Sequence, residues 1–300
     1  MRTFIYTFLL TTIVFVMSSC HKNTNYGPTL EEVVTEYDIW YVDYNSTTGY
    51  GNVPMLSKAF TISFDRGRVF ANNNIVGIGF TGDGYGIQIG TYDTRDGYLN
   101  VSHDIDGFYS FDVIADSPRK IRLYDEVENV TYYLQGYDID EFDFDSVFYA
   151  NIEYFLQEYF AWEKTYTSSE GDPNMFDDEN YLAFTPENTT TFYSSQDEPG
   201  IALDDIYWDF TGSYEVFDVN GNDNLKIVKL FYDTSDYEEF ELVVLDDKTI
   251  ELYHVTSGTT YEFAGRDFIQ FKKPETSGRE RTKVIRKSID RNPLAIQNKG

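Results

Sequence analysis

Residues 120–138 return almost unchanged 129 positions later as residues 249–267, and this repeat constrains the fold more than any other feature of the chain. Aligned without a gap, IRLYDEVENVTYYLQGYD and IELYHVTSGTTYEFAGRD share seven of eighteen positions, where unrelated sequences would share about one. The chain contains a duplication, so whatever one half builds the other builds again. Each copy reads as a β-hairpin: an apolar strand, a polar turn at 125–129 or 254–258, then a Thr-Tyr strand. That strand ends on Gly136 or Gly265, where glycine suits a turn with positive φ.

A second correspondence lies upstream of each hairpin. Thr29 and Glu32 form a capping box, followed by Leu30, Val33, Val34 and Tyr37 at helical spacing and then Trp40. The same pattern recurs as Ile152, Phe155, Leu156, Tyr159 and Trp162, an offset of 122. Each copy therefore opens with a short helix feeding a Trp-bearing strand, the second helix covering roughly residues 146–160. Between helix and hairpin the first copy predicts strands near 59–64, 68–72, 86–92, 98–103 and 108–114. The second predicts them near 181–185, 190–193, 206–214, 225–232 and 239–244. Seven or eight closely connected short strands per copy favour an antiparallel meander that closes to remove its edges. The expected fold is mainly β: two tandem meander barrels at 29–138 and 146–273, each preceded by a short helix. Each copy resembles a small lipocalin-like barrel.

Residues 1–20 read as a targeting segment outside the fold, with Arg2, an apolar run over 4–16 too short to span a bilayer as a helix, and small residues before Cys20. The arrangement resembles a bacterial lipoprotein signal, in which Cys20 is lipidated and becomes the mature N-terminus. Met17 stands where Leu or Val is usual, and an uncleaved anchor or an ordinary secretory signal are the alternatives. Residues 21–24 lack the acids that follow the cysteine in some surface-exported lipoproteins of the Bacteroidota, so a periplasm-facing anchor fits at least as well. Cys20 is the only cysteine, so no disulfide forms within the chain.

Charge divides the chain unevenly. From Lys272 onward nine Lys/Arg face three Asp/Glu, and this +6 together with the +2 of Arg2 and Lys22 leaves the body at −36 within a net −28. Such a body repels nucleic acid, which is excluded as a partner. The basic segment 274–300 has no periodicity and reads as a disordered tail, its cluster of Arg279, Arg281, Lys283, Arg286 and Lys287 being able to touch an anionic lipid or polysaccharide.

The residues show no catalytic constellation. His21, His103 and His254 fall in no metal-spaced pair, and neither a nucleophile elbow nor a phosphate-cradling loop is present. His254 replaces Asp125 of the first copy in the hairpin turn, where a solvent-facing position is expected. Asp218, Asn220, Asn222 and Asp223 offer hard oxygen ligands for a cation without EF-hand spacing. The acids at 138–145 precede the central helix, whose dipole they suit. Trp40, Trp162 and Trp208 are the candidate ligand-stacking residues. No cofactor is expected.

The runs at 39–44, 47–49, 53–54, 59–61 and 71–77, together with 154–159 and 250–254, resemble a family of lipoproteins from Flavobacteriia. Its members are often named nicotinic acid mononucleotide adenyltransferase, which implies a nucleotidyltransferase. Enzymes of that activity resemble one another in an H-x-G-H motif on a parallel α/β fold, and no histidine here sits in that motif. The expected function is a non-enzymatic, envelope-anchored binding or interaction module for a small apolar ligand, a glycan or an envelope protein. The alternatives are that nucleotidyltransferase and a structural component of an envelope complex.

Overall fold

The computed structural model describes residues 27–185, 190–232, 236–269 and 281–294. Cys20 lies outside the described residues. The first half runs α1 (Leu30–Val34), β1 (Ile39–Gly49), α2 (Pro54–Lys58), β2 (Thr61–Asp65), β3 (Arg68–Asn72), β4 (Ile87–Asp93), β5 (Leu99–His103), β6 (Gly107–Ser117), β7 (Lys120–Asp125) and β8 (Val130–Tyr137). Then come α3 (Phe144–Ala150), α4 (Ile152–Leu156), β9 (Tyr159–Thr167), β10 (Tyr181–Phe184), β11 (Thr191–Ser195), β12 (Phe210–Val219), β13 (Asn222–Phe231), β14 (Tyr237–Asp246), β15 (Thr249–His254), β16 (Thr260–Phe268) and β17 (Lys287–Ile289).

Strands β1–β8 close into an antiparallel meander barrel, with β8 returning to β1. Strands β9–β16 do the same, closed by the β16–β9 and β11–β12 pairings. The two-barrel architecture expected from the repeat is the one observed. Equivalent hairpins even share a register: Leu123 pairs with Tyr132 as Leu252 pairs with Tyr261. Both interiors are filled by large side chains. Trp40, Phe111 and Tyr132 occupy the first barrel, and Trp162, Phe192, Phe240 and Phe263 the second, all essentially without exposure. These are packed barrels rather than open cups.

Helices α1 and α4 match residue for residue at the 122 offset, and the reason lies in the indoles. Trp40 Nε1 donates to Val34 O and Trp162 Nε1 to Leu156 O, each at 2.8 Å, so each tryptophan fastens its strand to the last turn of the preceding helix. Tyr37 and Tyr159 meet the indoles edge-on, with centroids 5.3 and 4.8 Å apart. Gly136 and Gly265 complete the arrangement opposite Trp40 and Trp162 in the ladder. Neither has positive φ, which corrects the turn reading. A Cβ at 136 would stand 2.3 Å from the Tyr37 ring and one at 265 would stand 2.5 Å from the Tyr159 ring. The glycines are conserved between copies by this close approach of an aromatic ring.

The central helix differs from the sequence reading. It breaks into α3 and α4 at Asn151 (φ −126°, ψ 37°), and Tyr159 and Phe160 already belong to β9. Asp143 caps α3 by accepting from the amides of Asp145 and Ser146 at 3.1 and 3.3 Å, the helix-end role that its acidic cluster suited.

The barrels share a core in which Phe60 and Tyr154 meet edge-on at 5.0 Å. Glu158, fully buried at the end of α4, accepts from Ile75 N at 2.9 Å and Val76 N at 2.9 Å on the first barrel. The basic segment supplies a second connection, and here the expectation of a disordered tail is corrected over residues 281–294. Arg281 is buried against the first barrel, Arg286 reaches α4, and β17 adds to β12 in parallel. The pattern was illegible because an extended strap held by charge and backbone pairing leaves no hydrophobic period.

Candidate functional site

The sequence-predicted aromatic candidates fall in different places. Trp40 and Trp162 are core residues with their indole N–H groups satisfied, so ligand contact is corrected for both. Trp208 is half-buried ahead of β12, 6.0 Å from the Tyr193 ring, and joins no cavity wall described below.

The cation candidates are spent on other partners. Asp218 binds Lys226 Nζ at 2.7 Å and Arg286 at 3.2 Å. Asn220 Nδ2 donates to Asp290 at 2.7 Å, and the Asp223 carbonyl accepts from Lys226. Asn222 opens β13 in the ladder opposite Val219. Among the described residues no three His, Cys, Asp or Glu side chains converge on a metal-sized site. Calcium binding at Asp218, Asn220, Asn222 and Asp223 therefore finds no carboxylate cage, since the acid best placed for it neutralises two cations.

His254 is buried, not solvent-facing. Its Nδ1 lies 2.7 Å from Ser257 Oγ and its Nε2 lies 2.6 Å from Glu238 Oε2. These are the spacings of a Ser-His-acid triad, yet Ser257 Oγ also meets Asn174 Nδ2 at 3.1 Å, Thr259 N at 3.2 Å and Thr259 Oγ1 at 2.9 Å. A hydroxyl so surrounded has no free direction for an incoming carbonyl. The first copy explains the arrangement: Asp125, at the same hairpin position, accepts from Glu128 N at 2.9 Å. Both side chains lock the turn.

The same end of the second barrel holds Glu179 and Tyr232, whose hydroxyl donates to the carboxylate at 2.7 Å. Burial pushes Glu179 up to about 6, against the lowering effect of its Tyr232 and Ser194 hydrogen bonds. Because the folded value exceeds the ordinary one near 4.5, folding favours the protonated form. Ionisation then costs stability as pH rises between those values, by about 2 kcal/mol at pH 8 and about 1 at pH 5. Glu179→Gln is accordingly expected to stabilise the protein more at pH 8 than at pH 5, the gain differing by about 1 kcal/mol. Urea unfolding at the two pH values measures this, and an equal effect at both would remove the charge explanation.

The remaining candidate is a cleft of about 270 Å³ between the barrels, roofed by the strap. Tyr44 and Asn45 of β1 form one wall, Glu153, Tyr154 and Gln157 of the α4 region the floor, and Tyr214 of β12 the far side. The strap residues 281–287 close the top. Gln157 is fully buried, its Nε2 donating to Tyr214 Oη at 2.5 Å while its Oε1 has no partner. Arg281, also buried, donates to the Val42 and Ala59 carbonyls and stacks on Phe60 and Tyr44, with its Nε unmatched. Arg286 clasps Glu153 through Nε and Nη2 at 2.8 and 2.9 Å. A larger hollow of about 660 Å³ lies beside α1, but its charged groups are matched: Glu31 accepts from Tyr92 Oη at 2.7 Å and Arg66 pairs with Asp65.

Sequence reasoning missed Gln157, and it placed Arg281 in an exposed basic cluster where the structure buries it. A signal for the first existed, because the 122 offset sets Gln157 opposite Thr35 and Glu158 opposite Glu36. Polar residues that change or gain a role at the end of an otherwise repeated helix mark what one copy does and the other does not.

No family model, curated protein or solved structure matches this chain. The fold and cleft by themselves define a class: a fused pair of packed antiparallel barrels, joined by a core, a buried glutamate and a cationic strap, with a shared cleft on the seam.

Proposed function

We propose that this protein is a non-enzymatic binding module of the cell envelope, anchored by lipid at Cys20, that holds a small ligand in the cleft between its barrels. The single observation that carries this reading is the cleft itself, built from both barrels and the strap, with buried polar atoms on Gln157 and Arg281 left without partners. Buried polar groups are ordinarily matched, and an unmatched pair beside a cavity is what a ligand site presents before it fills. The packed interiors argue against an apolar ligand inside either barrel. The lipobox-like residues before Cys20 support the anchoring.

The test is native mass spectrometry of the chain from His21 to Gly300, purified from an envelope-bearing bacterial host, beside its Thr190→Trp variant. Thr190 is an exposed residue on the cleft wall, and the larger side chain narrows the cleft. A retained small-molecule mass that disappears in the variant is expected. A bare mass, a mass that the variant retains equally, or turnover of ATP with nicotinate mononucleotide would each overturn the reading.

A further inference from the structure

Resting on that reading, we infer that the ligand of the cleft is a small hydroxylated anion, of the class of a single carboxylate-bearing sugar ring. The charges around the cleft point to the anion. Arg286 and Lys287 on the strap are neutralised, the first by Glu153 and Asp218 and the second by Glu215 at 2.6 Å. Arg281 and Lys283 are not. Their hydrogen-bond partners are main-chain carbonyls, those of Val42 and Ala59 for Arg281 and that of Thr47 for Lys283. Among the described residues no carboxylate lies within ion-pair distance of either. In a body carrying −36 this is a local excess of positive charge on one side of one cleft.

The burial of Arg281 sharpens the point. A cation taken out of water without a counter-charge is costly, and a carboxylate beside it recovers that cost. Its Nη atoms are occupied and its Nε is the unmatched donor, so an anionic oxygen arriving from the cleft has a defined group to accept from.

A carboxylate alone does not satisfy the site. Gln157 Oε1 is an acceptor and needs a donor, which a hydroxyl supplies and a carboxylate does not. Tyr44, Tyr154 and Tyr214 also line the cleft, the last two nearly buried in the core behind it, and add phenol edges of mixed polarity suited to a hydroxylated ring. A volume of about 270 Å³ sits at the small end of ligand sites, which sets the occupant at one ring rather than a chain.

Calorimetric titration with glucuronate, glucose and acetate tests the class. Glucuronate is expected to bind, with glucose at least tenfold weaker and acetate weaker still, and the glucuronate affinity is expected to fall as salt rises. Lys283→Gln changes an exposed side chain and is expected to lower glucuronate affinity several-fold and flatten the salt dependence, with the fold unchanged by circular dichroism. Gln157→Met, replacing the acceptor at similar volume, is expected to weaken glucuronate about tenfold and leave acetate unchanged. Equal binding of glucose and glucuronate would overturn the anion while leaving the cleft as a sugar site. Acetate binding as tightly as glucuronate would overturn the hydroxyl requirement. Binding of none of the three would overturn the inference outright, and the mass measurement on Thr190→Trp then decides separately whether the cleft holds any ligand.

Discussion

Glu158→Ala is expected to lose about 3–4 kcal/mol of stability, whereas Glu36→Ala, at the same helix position in the other copy, is expected to change it by less than about 0.5. The two glutamates are 122 residues apart and follow equivalent helices. Glu36 is exposed. Glu158 has no exposure, and its two oxygens accept from Ile75 N at 2.9 and 3.1 Å, Val76 N at 2.9 Å and Asn74 Nδ2 at 3.3 Å. Alanine leaves the two amides of the 75–76 turn buried without an acceptor, each worth about 1–3 kcal/mol. Glutamine keeps the volume but turns an NH₂ towards donors, so it is expected to recover less than half. These amides belong to the first barrel and the carboxylate to the second, so the loss falls on the seam. Urea unfolding followed by tryptophan fluorescence should change from one transition to two in Glu158→Ala. Equal costs for Glu36→Ala and Glu158→Ala would mean that the clamp contributes nothing.

That contrast also shows where the sequence was legible. The 129-residue repeat identified the hairpins β7–β8 and β15–β16 to the residue at their starts, because strand pairing and the Trp-Tyr-Gly cluster repeat the same chemistry in the same order. Barrel closure followed from the number and close connection of the strands. What one sequence did not disclose was where the copies diverge. Gly136 and Gly265 looked like turn glycines because sequence gives no sign that a tyrosine three-dimensionally adjacent but about a hundred residues away lies over them. The two buried tryptophans looked like ligand platforms because an indole that anchors a helix and one that stacks on a sugar have the same composition signature. The cleft was the least legible part. Its walls come from β1, the α4 region, β12 and the strap, four segments with no spacing relation, and its two unmatched polar atoms are visible only once those segments meet.

The strap yields the other large effect: Arg281→Ala is expected to lose about 3–5 kcal/mol, comparable to deleting a large core side chain. Its guanidinium lies 4.6 Å from the Phe60 ring centroid and 4.9 Å from that of Tyr44, and it donates to the Val42 and Ala59 carbonyls. Its own amide donates to Ser57 O at 3.2 Å. Alanine empties the slot between the rings and leaves both carbonyls unpaired. Lysine keeps the charge but not the planar group that fits between two aromatic faces, so Arg281→Lys should recover less than half of the loss. Arg281→Met separates packing from polarity. It fills the slot without a buried charge, and because removing that charge also removes a desolvation cost, its loss is expected to stay near 1–2 kcal/mol. The consequences extend along the chain, since Arg281 is the buried anchor of the strap on the first barrel, with Lys283 and Val284 adding hydrogen bonds to Thr47 and Asn45 of β1, and beyond them Arg286 and β17 hold the second half and its linking helix. With that anchor gone, limited proteolysis should cut within residues 281–291 faster in Arg281→Ala than in the wild type. A loss below about 1 kcal/mol with unchanged cleavage would show that the strap is held by β17 and its surface charges alone, whose ion pairs are individually weak in water.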